Sequence, residues 1–171
     1  MSRAAYPGPV PRRLATAAEI AALSSDVRLR IIRLAHDTPL TNKEIAERLG
    51  KDPATTLHHV RKLVATGFLE AQPERTGKRG AREIPYLSTG LSWQLTWKDR
   101  PPAAKEAVLR AFLGEVSDVG VDALRQIRLV VRTDPGELKR RLQALFDELA
   151  QEPAEPDHER VAIYLAMYPG D

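Results

Sequence analysis

The fold is decided by residues 40–70, which read LTNKEIAERLGKDPATTLHHVRKLVATGFLE. The first half of this stretch carries the signals of a short, capped helix. Thr41 is a typical N-cap residue, and Glu44 follows it at the spacing of a capping box. Gly50 comes directly after the last apolar position, where helices commonly end in a left-handed residue. We therefore predict one short helix between Thr41 and Gly50.

A second helix is predicted to begin almost at once. Asp52 is a favourable N-cap residue, and Pro53 suits the first helical position, so we place this helix at residues 53–66. Two short helices joined by a glycine turn form the arrangement that inserts the second helix into the major groove of DNA. The stretch therefore predicts a helix-turn-helix.

The two faces of helix 53–66 differ in character. At about 100° per residue, the side predicted to pack inward holds Thr56, Leu57, Val60, Leu63 and Val64. The opposite side holds Ala54, Thr55, His58, Arg61 and Lys62, and His59 lies on the flank. Small residues let the backbone approach base edges, while the two cations reach phosphate or guanine. We predict that this outer face contacts DNA, together with Thr41 and Asn42. The alternative is the solvated face of an ordinary surface helix.

A basic hairpin is predicted directly after this helix. Residues 68–72 and 82–87 suit two strands, and residues 73–80 form a polar, glycine-containing loop between them. The cations of this wing, residues 73–82, are Arg75, Lys78, Arg79 and Arg82. A flexible basic hairpin beside a DNA-reading helix suits the phosphates and the minor groove. The most economical reading is a winged helix-turn-helix.

Residues 22–32 (ALSSDVRLRII), 55–63 (TTLHHVRKL) and 67–69 (GFL) resemble the opening helices, recognition helix and first wing strand of ArsR-type winged-helix repressors. The resemblance covers about residues 18–88. Leu57 stands where that family usually has a serine, so the hydroxyl contact to DNA that the resemblance implies is not available there. Leu57 is counted among the expected DNA contacts by its position alone. The chain has no cysteine and is closer to the non-metal members with a C-terminal extension. The resemblance implies a dimeric repressor that binds a palindromic operator.

Composition and charge agree with two small domains. The chain has 171 residues, 43% of them hydrophobic, which is enough for real cores. Without cysteine, disulfides and thiolate zinc sites are excluded. No apolar run approaches a membrane span, and we expect a soluble, cytoplasmic protein. The net charge of +3 combines +7 over residues 1–100 with −4 over residues 101–171. This asymmetry fits a DNA-binding first half joined to a second half that avoids DNA.

Two boundaries are predicted from proline-rich segments. Residues 1–14 contain three prolines and three arginines and are expected to form a disordered arm. The second boundary falls near Pro101 and Pro102, with Trp93 and Trp97 expected to pack the two domains together. The domains are then residues 15–98, which bind DNA, and residues 99–171, which serve dimerisation and the sensing of an effector.

The C-terminal domain is predicted to be a small α/β unit. A helix over residues 105–119 is followed by a β-branched strand at residues 126–132, a helix begun by Asp134 and Pro135, and a strand at residues 161–167. Strand, helix and strand suggest a βαβ crossover. Two strands alone are marginal in water, so we expect a dimer. The candidate dimer and effector residues are Val108, Leu109, Phe112, Val116, Tyr164 and Tyr168. The alternative is that these residues simply fill the core.

Catalytic and metal-binding patterns are weak. The histidines are His36, His58, His59 and His158, and no two of them have the i,i+4 spacing of a helical metal site. Nucleophile-elbow and phosphate-loop motifs are also missing. We therefore predict no enzyme, no cofactor and no metal site.

The sequence as a whole predicts a mainly α fold with α+β elements, in which a winged helix-turn-helix precedes a small α/β domain. The predicted function is a sequence-specific transcriptional regulator, a dimeric repressor that binds double-stranded DNA. Its effector would be a small molecule that the sequence does not identify. The alternative is a winged-helix module for protein–protein contact, and an enzyme with an undetected site is a third class.

Overall fold

The computed structural model describes residues 12–77, 80–152 and 159–170. Within these ranges six α-helices dominate: α1 (Ala17–Leu23), α2 (Asp26–Leu34), α3 (Asn42–Leu49), α4 (Pro53–Ala65), α5 (Pro102–Val119) and α6 (Pro135–Gln151). The seven strands of the described residues are short: β1 (Arg13–Leu14), β2 (Leu40–Thr41), β3 (Leu69–Ala71), β4 (Arg75–Thr76), β5 (Arg82–Glu83), β6 (Pro85–Ser88) and β7 (Leu95–Thr96). The chain is therefore mainly helical with a few strands, as predicted.

Side-chain caps define where the first helices begin. The Thr41 hydroxyl accepts from the backbone N–H of Glu44, and the Glu44 carboxylate accepts from the backbone N–H of Thr41, so the predicted capping box of α3 is confirmed. Gly50 ends α3 in the left-handed conformation, with φ of 60°. Asp52 accepts from two backbone N–H groups at the start of α4, where Pro53 takes the first position. These contacts satisfy donors that a helix end leaves open.

A second capping box at α1 was not predicted. Glu19 caps α1 together with Thr16, and it also accepts two hydrogen bonds from Arg13, at 3.0 and 2.5 Å. The Arg13 hydrogen bonds are the main reason that the pKa of the buried Glu19 falls to about 2. Arg13 and Leu14, which the sequence assigned to the disordered arm, instead form β1 and pair in parallel with β7. The arm expected over residues 1–11 lies outside the described residues.

A three-stranded sheet and a two-stranded hairpin flank the helix pair, with β2 before α3 and the other strands after α4. The sheet has the order β2-β6-β3, antiparallel throughout, with Leu40 opposite Tyr86 and Leu69 opposite Ser88. The predicted strand at residues 68–72 is present as β3, and the one at residues 82–87 as β5 and β6. β4 lies in the segment predicted as a loop and pairs with β5 in the wing hairpin, with Arg75 opposite Glu83. The sheet thus carries the wing outward from the end of α4.

The core lies between α2, α3, α4 and the sheet. Its largest fully buried side chains include Phe68, Ile31, Ile45, Leu63 and Val60. Residues spaced three and four apart on α3 and α4 supply this core, as their periodicity predicts. The packing fixes which face of α4 remains outside.

Helix α5 packs on the first half of the chain through alanines. Ala104, Ala107 and Ala111 are at most 1% exposed, and they face α2. Small side chains let two helices approach closely. Arg33 donates to both oxygens of Glu115 at 2.8 Å, and Arg30 pairs with Asp118. α5 therefore shares its core with the helix-turn-helix, across the boundary that the sequence predicts near residue 98.

The predicted βαβ unit is not formed. α6 begins at Asp134 and Pro135 as expected, but residues 126–132 and 161–167 form neither helix nor strand, and within the described residues no strand follows β7. Ile127 is 96% exposed and Val161 is 74% exposed. β-branched residues favour strands only where a partner strand and a covered face exist. The single chain supplies neither to these segments.

Candidate nucleic-acid interface

Helix α4 turns the predicted outer face to solvent. All five residues of that face are exposed: Ala54, Thr55, His58, Arg61 and Lys62. Thr56, Val60 and Leu63 are fully buried, and Leu57 is half-buried between the two faces. Val64, predicted to pack inward, is 38% exposed, because it lies at the edge of the buried stripe. The helix therefore presents a small, polar first turn followed by two cations.

The start of α4 is closed by its own cap. The Asp52 carboxylate accepts from the backbone N–H groups of Ala54 and Thr55, at 2.9 and 3.0 Å. Those donors are no longer available to a phosphate. An anion next to this helix would instead meet Arg61 and Lys62, further along the same face.

The two histidines of α4 have different surroundings. His58 is exposed, whereas the Nδ1 atom of His59 is buried without a hydrogen-bond partner in the described part of the chain. Burial lowers the pKa of His59, and the positive charges of Arg28 and Lys51 lower it further. His59 is therefore held neutral at the inner edge of the helix, while His58 faces outward, as the sequence predicts.

Thr41 and Asn42 have structural contacts at the start of α3. Thr41 is 5% exposed and its hydroxyl is used in the cap, so it does not present the exposed hydroxyl that a DNA contact needs. Asn42 donates from Nδ2 to the carbonyl oxygen of Pro53 at 2.8 Å, which fixes the turn between α3 and α4. We therefore omit Thr41 from the proposed DNA contacts and keep its neighbour Asn42 among them.

The wing cations differ in how they are held. Arg75 donates to Glu44 of α3 at 2.7 Å and lies 3.7 Å from Glu83 across the hairpin. The side chain of Arg82 is 87% exposed, with Glu74 at 3.7 Å. Lys78 and Arg79, both predicted to contact phosphate, lie outside the described residues. Of the two wing cations that the structure describes, one is held by carboxylates and the other extends into solvent.

A shallow groove separates the wing from α3. Its volume is about 320 Å³, and it is lined by Thr41, Asn42, Lys43, Arg82, Glu83, Ile84 and Tyr86. Two cations and one carboxylate lie along it. The groove therefore lies on the surface where α3 and the wing face each other.

The predicted dimer and effector residues are only partly brought together. Phe112 stacks on Tyr164, with ring centroids 4.3 Å apart, and Val108 packs against the core. Leu109 and Tyr168 are exposed, and Val116 is half-buried. Within the residues that the structure describes no strand follows β7, so α5 has no C-terminal sheet beside it with which to form an effector pocket. The part of the chain that the structure describes contains no group of three metal-ligating side chains.

Sequence reasoning missed two features of this region. The first is the alanine face of α5, whose residues at positions 104, 107 and 111 show the spacing of a packed helix face but lack large side chains. The second is the hydrogen bond from Arg75 to Glu44, since the sequence identifies Glu44 only as a capping residue.

No helix in the described residues is both long and apolar enough to span a membrane.

Comparison with known proteins supports the helix-turn-helix. Residues 23–72 match a family model described as a helix-turn-helix domain, which spans α2, α3, α4 and β3. No curated protein matches the chain. Among solved structures, a double mutant of Lactococcus lactis ZitR in its apo form is similar at 21% identity, with 75% of this chain and 85% of that chain covered and a TM-score of 0.32. Residues 23–72 are therefore similar to a helix-turn-helix domain, and it is the match to this family model that supports DNA binding.

Proposed function

We propose that this chain is a sequence-specific transcriptional regulator of ArsR type that binds double-stranded DNA through α4 and the wing. The observation that carries the proposal is the outer face of α4, which is small at its start and cationic later and lies beside a basic hairpin. The proposed contacts are Asn42, Ala54, Thr55, Leu57, His58, Arg61, Lys62, Lys78, Arg79 and Arg82. A protein partner would more often meet an apolar patch there.

The base-reading residue is expected to be Arg61, and the wing is expected to contact phosphate. Arg61 lies on the exposed face of α4, where a guanidinium can pair with the major-groove edge of guanine. Arg82 extends into solvent from the wing, which suits a phosphate contact. Base contacts give sequence preference, and phosphate contacts give affinity that falls with salt.

The experiment is a salt titration of DNA binding, measured by fluorescence anisotropy on duplexes enriched from a random pool. The logarithm of the association constant should fall with the logarithm of salt concentration, with a slope of about −0.9 per phosphate contact. Arg61→Ala should cost about 1–3 kcal/mol on the enriched duplex and much less on a random one. Arg128→Ala, in the extended segment after α5, is the matched control and should bind like the unaltered protein.

The outcome decides between the two functional classes. A failure to enrich any duplex, or binding that does not respond to salt, would refute DNA reading and favour the protein-contact module. Equal losses for Arg61→Ala on enriched and random duplexes would show that Arg61 contacts phosphate and does not read bases.

We further propose that the regulator is a cytoplasmic homodimer and a repressor of a palindromic operator, with residues 99–171 providing dimerisation and the effector site. The apolar side chains left exposed after α5 support this assignment, since a second copy would cover them. The stack of Phe112 on Tyr164 is the place where an effector would meet both α5 and the C-terminal segment. Repression follows only from the ArsR resemblance.

A further inference from the structure

The tip of the wing hairpin is short. Each of its strands, β4 and β5, is two residues long. The pair continues from β3 and β6, where Gln72 donates its backbone N–H to Pro85 at 2.8 Å, but residues 73, 74 and 84 lie between the two ladders. Because short two-stranded hairpins are marginal in water, a further contact with the body of the domain helps to fix the angle of this tip. The groove of about 320 Å³ beside α3 leaves the wing unpacked on that side.

Glu44 makes such a contact, and its two carboxylate oxygens have different partners. Oε2 accepts from the backbone N–H and the hydroxyl of Thr41, at 2.7 and 3.0 Å, which fixes it to the first turn of α3. Oε1 accepts from Nη2 of Arg75 at 2.7 Å. One side chain thus joins the helix-turn-helix to the wing.

Arg75 is held from both sides. It lies between Glu44 on α3 and Glu83, its cross-strand neighbour in the hairpin, and its side chain is 44% exposed. A guanidinium paired with two carboxylates has little net charge left to attract a phosphate. Burial raises the pKa of Glu44, but hydrogen bonds from Thr41 and Arg75 outweigh it and lower the pKa overall, so the carboxylate stays charged.

We propose that Glu44 is the positioning residue of the wing, and that Arg75 is a strut between α3 and the hairpin instead of a phosphate contact. The proposal rests on the proposed DNA-binding function for its consequence: a wing released from α3 no longer places Arg82 and the loop cations against the DNA backbone. It corrects the role that the sequence assigned to Arg75.

A double-mutant cycle with Glu44→Gln and Arg75→Gln tests this role. Glutamine at the same helix position keeps a capping box, so Glu44→Gln removes the ion pair while leaving α3 capped. Each single variant should weaken DNA binding about three- to tenfold at low salt and make the salt slope shallower by about one phosphate contact. The double variant should bind like either single variant, because both changes break one link.

If Arg75 were a phosphate contact, Glu44→Gln would change the affinity for DNA in the opposite direction. If Arg75 contacts phosphate directly, removing the nearby carboxylate should tighten DNA binding, and the effects of the two changes should multiply in the double variant. That result would overturn the proposal. Glu47→Gln is the matched control, since it removes the same charge from an exposed position of the same helix, and it should bind at least as tightly as the unaltered protein.

Hydrogen exchange separates this inference from the proposed function. The backbone N–H of Gly77 donates to the carbonyl oxygen of Ala81 at 2.7 Å, so it reports whether the hairpin is closed. Without DNA, Glu44→Gln should speed exchange of this amide several-fold, with no change for Glu47→Gln. An unchanged exchange rate of the Gly77 amide would contradict the proposed role of Arg75 as a strut. Faster exchange in a protein that binds no DNA would uphold the strut and refute the proposed function.

Discussion

His58 and His59 are neighbours in the chain, yet one reaches solvent and the other is half-buried. The difference arises from the turn of about 100° between successive helical residues. Because burial lowers the pKa of His59 below its ordinary value of 6.5, folding favours the neutral ring. The unfolded chain therefore takes up a proton more readily than the folded one as the pH falls below 6.5.

We expect the free energy of unfolding to fall more steeply with acidification in the unaltered protein than in His59→Gln. The stability that neutral His59 provides is complete above pH 6.5, the ordinary pKa of histidine. It is lost as the pH falls from 6.5 through the lowered pKa of the folded state. Urea unfolding at about pH 7.5 and about pH 5.5 measures the difference. His58→Gln replaces the exposed neighbour on the same helix, and its expected effect is weaker DNA binding. Equal slopes in the unaltered protein and His59→Gln would contradict the assignment of the buried face.

At the scale of elements, α5 shows how small side chains decide packing. Ala107 is fully buried against the first half of the chain, at a place where α2 and α5 approach closely. A larger side chain there has no space. The contact makes α5 part of the winged-helix core and extends that core beyond residue 98.

Ala107→Leu should destabilise the protein by about 1–3 kcal/mol, because the added atoms force α5 away from α2. Ala103→Leu, at an exposed position of the same helix, should change the free energy of unfolding by no more than about 0.5 kcal/mol. Urea unfolding of both variants measures the two free energies of unfolding. If Ala107→Leu proved as stable as Ala103→Leu, the close packing of α5 on α2 would be wrong.

The elements that could be predicted are those whose signals are local. Asp52, Pro53 and Gly50 fix the ends of α3 and α4 by their own backbone and side-chain chemistry, and the faces of α4 follow from spacing. Residues 126–132 could not be predicted in the same way, since a strand needs a partner that the single chain does not supply. Glu44 could be identified as a cap, but its link to Arg75 depends on how the chain folds back 31 residues later.

At the scale of the whole molecule, apolar side chains are unevenly covered. Up to α5 most large apolar residues are buried or half-buried, whereas Ile127, Leu129, Val161 and Ile163 are all at least 60% exposed. Surfaces of this kind are rare on monomers and commonly mark an interface. The proposed homodimer would cover them and supply the missing strand partners.

Ile127→Asp should therefore convert the dimer to a folded monomer. Ile127 is 96% exposed, so a charge there does not disturb the fold of one chain, but it would be buried unpaired in the dimer. Sedimentation velocity measures the mass, and thermal unfolding checks the fold. Gln126→Asp adds the same charge one residue earlier, at an exposed site that is not apolar, and should remain dimeric. An unaltered protein that sediments as a monomer would refute the dimer itself.

The parallel pairing of β1 with β7 has a mechanical consequence. Arg13 donates its backbone N–H to Gln94, and Ala15 donates to Thr96, so the first and last strands of the winged-helix unit are hydrogen-bonded side by side in the same direction. Tension applied between the start of β1 and the end of β7 runs along both strands in opposite senses. It loads these hydrogen bonds together in shear and does not unzip them one at a time. A stretching force on the two ends would thus meet its first resistance at this junction, before it reached α3 or α4.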